Sequence, residues 1–147
     1  MRSRASLLAF FIICHWLASP VRVAAQEQSE YEEISVFLMV QRIGGIEMPA
    51  VYYKQHLYLP VAELFDFLKI RNQSSASLDS VSGFFINPEA PYVIDQVNKR
   101  IDYNRKITSL KEEDLIRTET GLFLRSEFFG EVFGLTCDFN FRSLSVN

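Results

Sequence analysis

One arrangement of apolar residues occurs twice along this chain, at a constant offset of 65 from His56 to Gly121. His56-Leu57-Tyr58-Leu59, followed by Leu64, Phe67, Leu68 and Ile70, lines up with Gly121-Leu122-Phe123-Leu124, followed by Phe129, Val132, Phe133 and Leu135. In the first copy a short strand runs into Pro60, which opens a helix, because the N–H that proline lacks has no partner in the first turn. Val61, Leu64, Phe65 and Leu68 then fall at i, i+3, i+4 and i+7, one apolar stripe along that helix. In the second copy Ser126 is placed to cap the helix and Gly134 to end it in the left-handed conformation. Polar and strand-like residues follow each helix, Leu78 to Asn87 and Thr136 to Asn147, so each copy reads strand, helix, hairpin, over about 57–87 and 122–147. A shared sheet system would let both helices bury their stripes. The expected fold class is α+β, two copies of a strand-helix-hairpin unit packed on small antiparallel sheets.

Outside the copies the period is two. From Ile34, the residues Val36, Leu38 and Val40 alternate with Phe37 and Met39, a strand buried on both faces or nearly so. Gly44-Gly45 is expected to turn it back as a two-residue hairpin into Ile46, Met48 and Ala50. Tyr52 to His56 holds a second turn, and Arg71 to Ser77 reads as a polar, turn-rich stretch. Val81 to Ile86 and Tyr92 to Ile94 are strands on either side of the breaker Asn87-Pro88-Glu89-Ala90-Pro91. Ile101 to Tyr103 and Ile107 to Leu110 are further strands, and Lys111-Glu112-Glu113-Asp114 is a tight charged turn before Leu115-Ile116.

The N-terminus obeys a different logic. Arg2 and Arg4 precede an apolar run from Ala5 to Ala18, then Ser19-Pro20 and the small residues Val23-Ala24-Ala25. That order is a basic region, an apolar region too short to span a bilayer comfortably, and a cleavage site, so residues 1–25 are expected to be an export signal. Residues 26–33 are an acidic, flexible lead-in, and 34–147 one domain. Cleavage takes three of the 15 Lys+Arg and none of the 18 Asp+Glu, so the net charge becomes 12 − 18 = −6. That sign argues against nucleic acid as a partner, and no direct membrane span is expected once the signal is gone.

The chemistry-bearing residues are few. Cys137 is the only cysteine after cleavage and His56 the only histidine, so neither a disulfide nor a His/Cys metal site can be assembled, and Cys137 is expected to be buried and inert. Asp95, Asp102 and Asp114 are the carboxylates nearest the strands, where turns commonly use Asp for hydrogen bonding, and Glu112-Glu113-Asp114 reads as a solvated turn rather than a calcium loop. No Ser nucleophile has a base beside it and no glycine-rich phosphate loop occurs. The catalytic and cofactor sets are therefore read as empty, and the chain as a non-enzyme. Aromatic residues are the unusual resource: Phe65, Phe67, Phe84, Phe129 and Phe133 are assigned to the core, while Tyr52, Tyr53 and Tyr58 near a turn are a candidate partner-binding ledge. Asn72-Gln73-Ser74 is a glycosylation sequon, and Asp79-Ser80-Val81 marks Ser80 as a candidate O-glycosylation site.

The segments L-Y-L-P-V-A-E-L-F-D-F-L-K-I (57–70) and L-F-L-R-S-E-F-F-G-E-V-F-G-L-T-C-D-F-N-F-R-S-L-S-V (122–146) resemble the copper amine oxidase N-terminal-like module, an accessory unit of exported bacterial proteins that does not need copper. A longer likeness runs through V-F-L-M-V-Q-R-I-G-G (36–45), S-G-F-F-I-N (82–87), Y-V-I-D (92–95), D-L-I-R-T-E-T-G-L-F-L (114–124) and F-N-F-R-S-L-S-V (139–146). These stretches are similar to the N-terminal periplasmic region of usher-like outer-membrane proteins of Bacteroidetes-type bacteria, which continue into a β-barrel beyond the point matching Asn147. The resemblance implies a non-catalytic domain in the periplasm or on the periplasmic face of the outer membrane. Its partner would be a protein of the cell envelope, a translocated subunit or the barrel itself. The alternative is a stand-alone secreted module that binds cell-wall glycan or inhibits an envelope enzyme.

Overall fold

The alternation that starts near Ile34 builds the longest hairpin, in which β1 (Glu32–Val40) pairs antiparallel with β2 (Gly44–Tyr53). The computed structural model describes residues 31–147; the expected signal, 1–25, and the first part of the lead-in, 26–30, lie outside the described residues. The last two residues of the expected lead-in, Glu32 and Glu33, belong to β1. The hairpin turns at Gln41 to Ile43, with Arg42 at φ 67, rather than on the glycine pair. Gly45 serves packing instead, since a Cβ there would lie 2.4 Å from the Phe37 ring that crosses it.

The chain continues through β3 (His56–Pro60) and α1 (Val61–Phe67) into a meander of β4 (Arg71–Ser74), β5 (Ser80–Phe84), β6 (Pro91–Asp95), β7 (Arg100–Tyr103) and β8 (Lys106–Ser109). A 3-10 turn at Glu112–Asp114 leads to β9 (Leu115–Arg117), β10 (Leu122–Arg125) and α2 (Ser126–Phe133), and then to the short pair β11 (Phe139–Asn140) and β12 (Ser145–Val146). One sheet has seven strands in the order β11-β12-β1-β2-β3-β10-β9, and the other has five in chain order from β4 to β8. Lys54-Gln55 and Asn104-Arg105 join their strands with both central residues at positive φ, the form that matches the twist of a hairpin.

The α+β class expected from the repeat is overturned: 49% of the described residues are strand and 15% helix, with only two helices among them. Two strand-helix-hairpin units on small sheets are not the building blocks. The hairpin after α1 enters the five-stranded sheet, the one after α2 enters the seven-stranded sheet, and β1, β2 and β6 to β9 come from outside both units. Strand pairing is non-local, so the apolar spacing of one segment does not say which sheet it joins. Arg71 to Ser74, read as turn, is an edge strand whose closeness to β5 depends on Gly83, where a Cβ would lie 1.9 Å from Arg71 O.

The offset nevertheless has a local geometric trace. Leu59 stands opposite Leu124, its own counterpart 65 residues on, and the flanking pairs Tyr58–Arg125 and Pro60–Phe123 are related by the same shift. The β3–β10 pair is thus a local two-fold, and the two helices meet over one face of it. Phe65 touches Tyr92, Phe129 and Phe133 edge-on at ring separations of 5.2, 5.9 and 5.4 Å, joining both helices to the five-stranded sheet in one core. Each such fully buried ring contributes about 1.5–3 kcal/mol of transfer free energy. Gly134 ends α2 at φ 72, with its N–H on Gly130 O and that of Leu135 on Phe129 O. Ser126 does not cap α2: it is the first helical residue, and Arg125 holds the cap position without a capping hydrogen bond from its side chain.

Candidate functional site

Alternation sends one set of residues of β2, β3 and β10 into the core and the next set to the other face. Ala50, Leu57, Leu59, Leu122 and Leu124 go in; Val51, Tyr58 and Phe123 form a separate small cluster outside, with Tyr31, Tyr53 and Ile116 packed around it. Three apolar residues cannot seal a sheet face by themselves, and charged groups complete it.

The 3-10 turn lies across this outer cluster. The Tyr58 hydroxyl donates to Glu113 O at 2.7 Å, and the backbone N–H of Lys111 donates to Asp114 Oδ2 at 2.7 Å, which fixes the turn from both ends. Asp114 Oδ1 lies 2.9 Å from Arg125 Nη1, a close ion pair off the in-line hydrogen-bond direction, and the guanidinium sits 5.0 Å from the Phe128 ring. Arg125 Nε is 3.5 Å from Glu127 Oε2, and His56 Nδ1 is 2.8 Å from Glu127 Oε1. On the other side Lys54 Nζ donates to Glu113 Oε2 at 2.9 Å and lies 5.0 Å from the Tyr53 ring.

These contacts set the titration of the groups. Lys54 holds its proton more tightly than usual because the Glu113 carboxylate accepts its hydrogen bond, and the same bond draws the Glu113 carboxyl below its ordinary value. Burial pushes the Tyr58 hydroxyl up to about 12. Burial also works to raise Glu127, but its own backbone N–H and His56 outweigh it and hold the carboxyl below its ordinary value.

Between these groups lies a shallow hollow of about 540 Å³, lined by Tyr31, Tyr53, Lys54, Lys111, Glu113 and Ile116 among others. Flat tyrosine faces and fixed charges of both signs thus line the same hollow, which sets apolar contact beside directed polar groups. Among the described residues, no three of His, Cys, Asp and Glu stand close enough together to hold a metal ion, and no helix is long and apolar enough to cross a membrane.

The expected ledge of three tyrosines is divided by the strands. Tyr53 and Tyr58 share the outer face at a ring separation of 6.4 Å, but Tyr58 is only 1% exposed and serves as a floor. Tyr52 points to the opposite face, against Phe139 and Phe141 at 6.3 and 5.3 Å. Ser80 is half-buried at the start of β5, where its N–H donates to Ser75 Oγ at 3.2 Å and its C=O accepts from Ser75 N at 2.9 Å. Asn72 of the sequon is tied through Nδ2 to Asp66 Oδ1 at 2.7 Å. Cys137 is half-buried, and burial pushes its thiol up to about 11.

Asp95 accepts from Asn98 N at 2.9 Å within a turn, and Asp102 is half-buried in β7. Asp114 departs from the solvated turn expected of it, being 2% exposed and bound to Arg125. The sequence reading missed this pair; the available signal was Arg125, a lone charge ending the apolar strand L-F-L-R, which needs a carboxylate when it is largely covered. In comparisons with known proteins, no family model, no curated protein and no solved structure matches the chain.

Proposed function

We propose that this chain is a non-catalytic interaction domain that works after export, in the periplasm or at the periplasmic face of the outer membrane. Its place is the N-terminal region of an usher-like envelope protein, and its partner is a translocated subunit or the barrel that follows. The observation that carries the reading is the outer face of the seven-stranded sheet, where a tyrosine-floored hollow is rimmed by clamped charges and lies open to a broad partner. The stretches that resemble usher-like proteins also supply the strands of this framework, among them β1, β9, β10 and the β11–β12 pair. Sequencing the genomic DNA beyond the codon for Asn147 tests the reading. A frame that leads, directly or past one disrupting mutation, into alternating strand segments ending in aromatic residues is the expected result; unrelated sequence there overturns it.

A stand-alone secreted module that binds cell-wall glycan, or inhibits an envelope enzyme, is the second reading. The specific observation in its favour is the pair Tyr31 and Tyr53 beside Lys54 in a hollow of about 540 Å³, within the size range of small-ligand sites. Retention of the protein on peptidoglycan, and its loss in Tyr53→Ala, is the expected result on that reading. Equal retention of the variant would remove it.

A further inference from the structure

The two sides of β1 are not equally used. On one side β2 pairs with the whole strand, from Glu32 opposite Tyr52 to Val40 opposite Gly44. On the other side, among the described residues, β12 pairs only with Phe37 and Leu38, so the stretch from Glu32 to Val36 has an open edge.

Which backbone groups face that edge follows from two independent observations. Phe37 N–H donates to Leu144 O at 2.8 Å, on the side of β12. Along a regular strand the N–H and C=O of one residue point to one side and those of the next to the other, so Ser35 and Glu33 face the same side as Phe37. Ser35 is also paired with Pro49, which has no N–H to exchange across the β1–β2 ladder. The polar backbone of Glu33 and Ser35 is therefore directed away from β2, into the open edge.

Sheet edges in stable proteins are commonly blunted by charged side chains, proline or a bulge; from Glu32 to Val36 this one has neither proline nor bulge, and its only charges are Glu32 and Glu33. The charges on β1 and β2 here have one sign, while Arg142, beside Phe141 in the turn that joins β11 to β12, carries the opposite one. Glu32, Glu33 and Glu47 are exposed, and Ser35 Oγ donates to Glu47 Oε1 at 2.8 Å, which steadies that carboxylate beside the edge. A shallow trough of about 480 Å³ runs along Glu33, Ser35, Glu47 and Pro49 on the outer face. Phe141, in the turn that joins β11 to β12 on this side of β1, is 60% exposed and offers apolar cover.

We propose that the N-terminal half of β1 is a docking edge for an extended, basic segment of a partner protein, which adds to the seven-stranded sheet as a further strand. Backbone hydrogen bonds to Glu33 and Ser35 hold the segment, and lysine or arginine at alternate positions meets Glu33 and Glu47. This rests on the interaction-domain reading and names the chemistry of the partner.

The test titrates the purified protein with a ten-residue peptide of alternating lysine and valine, by calorimetry and by amide exchange. Controls are the glutamate–valine peptide, a lysine–glycine peptide, and the lysine–valine peptide N-methylated on alternate residues. Binding by the unmodified lysine–valine peptide alone, with slowed exchange at Glu33 and Ser35, is expected. Ser35→Pro should weaken it at least about tenfold with little change in the unfolding midpoint, since proline is tolerated where the N–H leaves the ladder. Should that variant not fold, Glu33→Lys with Glu47→Lys should transfer preference to the glutamate–valine peptide. No binding, equal binding by the lysine–glycine or N-methylated peptide, or protection at other strands would overturn the proposal. A reading frame that continues into a barrel, with no binding in this titration, keeps the interaction domain and removes the edge.

Discussion

The two faces of the seven-stranded sheet are made by the same strands and held by different means. Inward, Leu59, Leu124, Phe65, Phe129 and their neighbours merge with the five-stranded sheet into one continuous apolar core. Outward, Val51, Tyr58 and Phe123 are covered by a 3-10 turn tied down through a hydroxyl, a buried carboxylate and a line of ion pairs. The inner face is stabilised by area, which is non-directional and tolerant of small shifts. The outer face depends on a few directed contacts, each of which fails outright when its partner is removed. A surface built that way can stay open and polar, as a recognition surface needs, while keeping fixed geometry.

The largest expected effect falls on the inner face. Phe65→Ala should destabilise the fold by about 3–5 kcal/mol in urea unfolding, because its ring bridges both helices and the second sheet. Phe123→Ala should cost less, its cluster being smaller and open at the rim; equal losses would erase the distinction between the faces. Next comes Asp114→Ala, expected to cost about 1–3 kcal/mol because it leaves the largely covered Arg125 without its carboxylate. Adding Arg125→Met should recover part of that loss, and a double-mutant cycle reads the coupling.

Tyr58→Phe keeps the ring and removes only the bond to Glu113 O, so about 1 kcal/mol is expected, with faster amide exchange in the turn. The smallest effect is a titration. Glu113 should protonate below 4.5, the value for an unperturbed glutamate, when followed by NMR, and Lys54→Met should move it back toward that value, with Lys111 and Arg125 still holding it down. Because the folded value is the lower one, whatever stability the pair adds is fully present above the unfolded value and is lost as pH falls through the folded one. An unshifted Glu113 would mean that the rim of the hollow is not clamped.

Much of the local structure was legible in the residues. The apolar stripe of Val61, Leu64 and Phe65 is buried on α1, Gly134 ends α2, and the turns at Lys54-Gln55 and Asn104-Arg105 fall between alternating segments. Less legible were positions where a neighbour distant in sequence decides. Gly45 reads as a turn residue until Phe37 is seen lying across it, and Arg71 to Ser74 reads as a turn until Gly83 lets β5 approach. Tyr52, Tyr53 and Tyr58 look like one group along the chain, but adjacent residues of a strand point to opposite faces, which separates the first from the other two.

The sequence by itself determined which segments have an apolar side and where the chain can bend, because periodicity, proline and glycine act within a few residues. Only the tertiary structure decided that β3 and β10 lie side by side with Leu59 opposite Leu124, that Asp114 is buried on Arg125, and that one half of β1 is left with an open edge. Those outcomes depend on contacts between residues far apart in the chain. No local pattern sets them, because backbone pairing is chemically the same for every strand and is chosen by the packing of all the elements together.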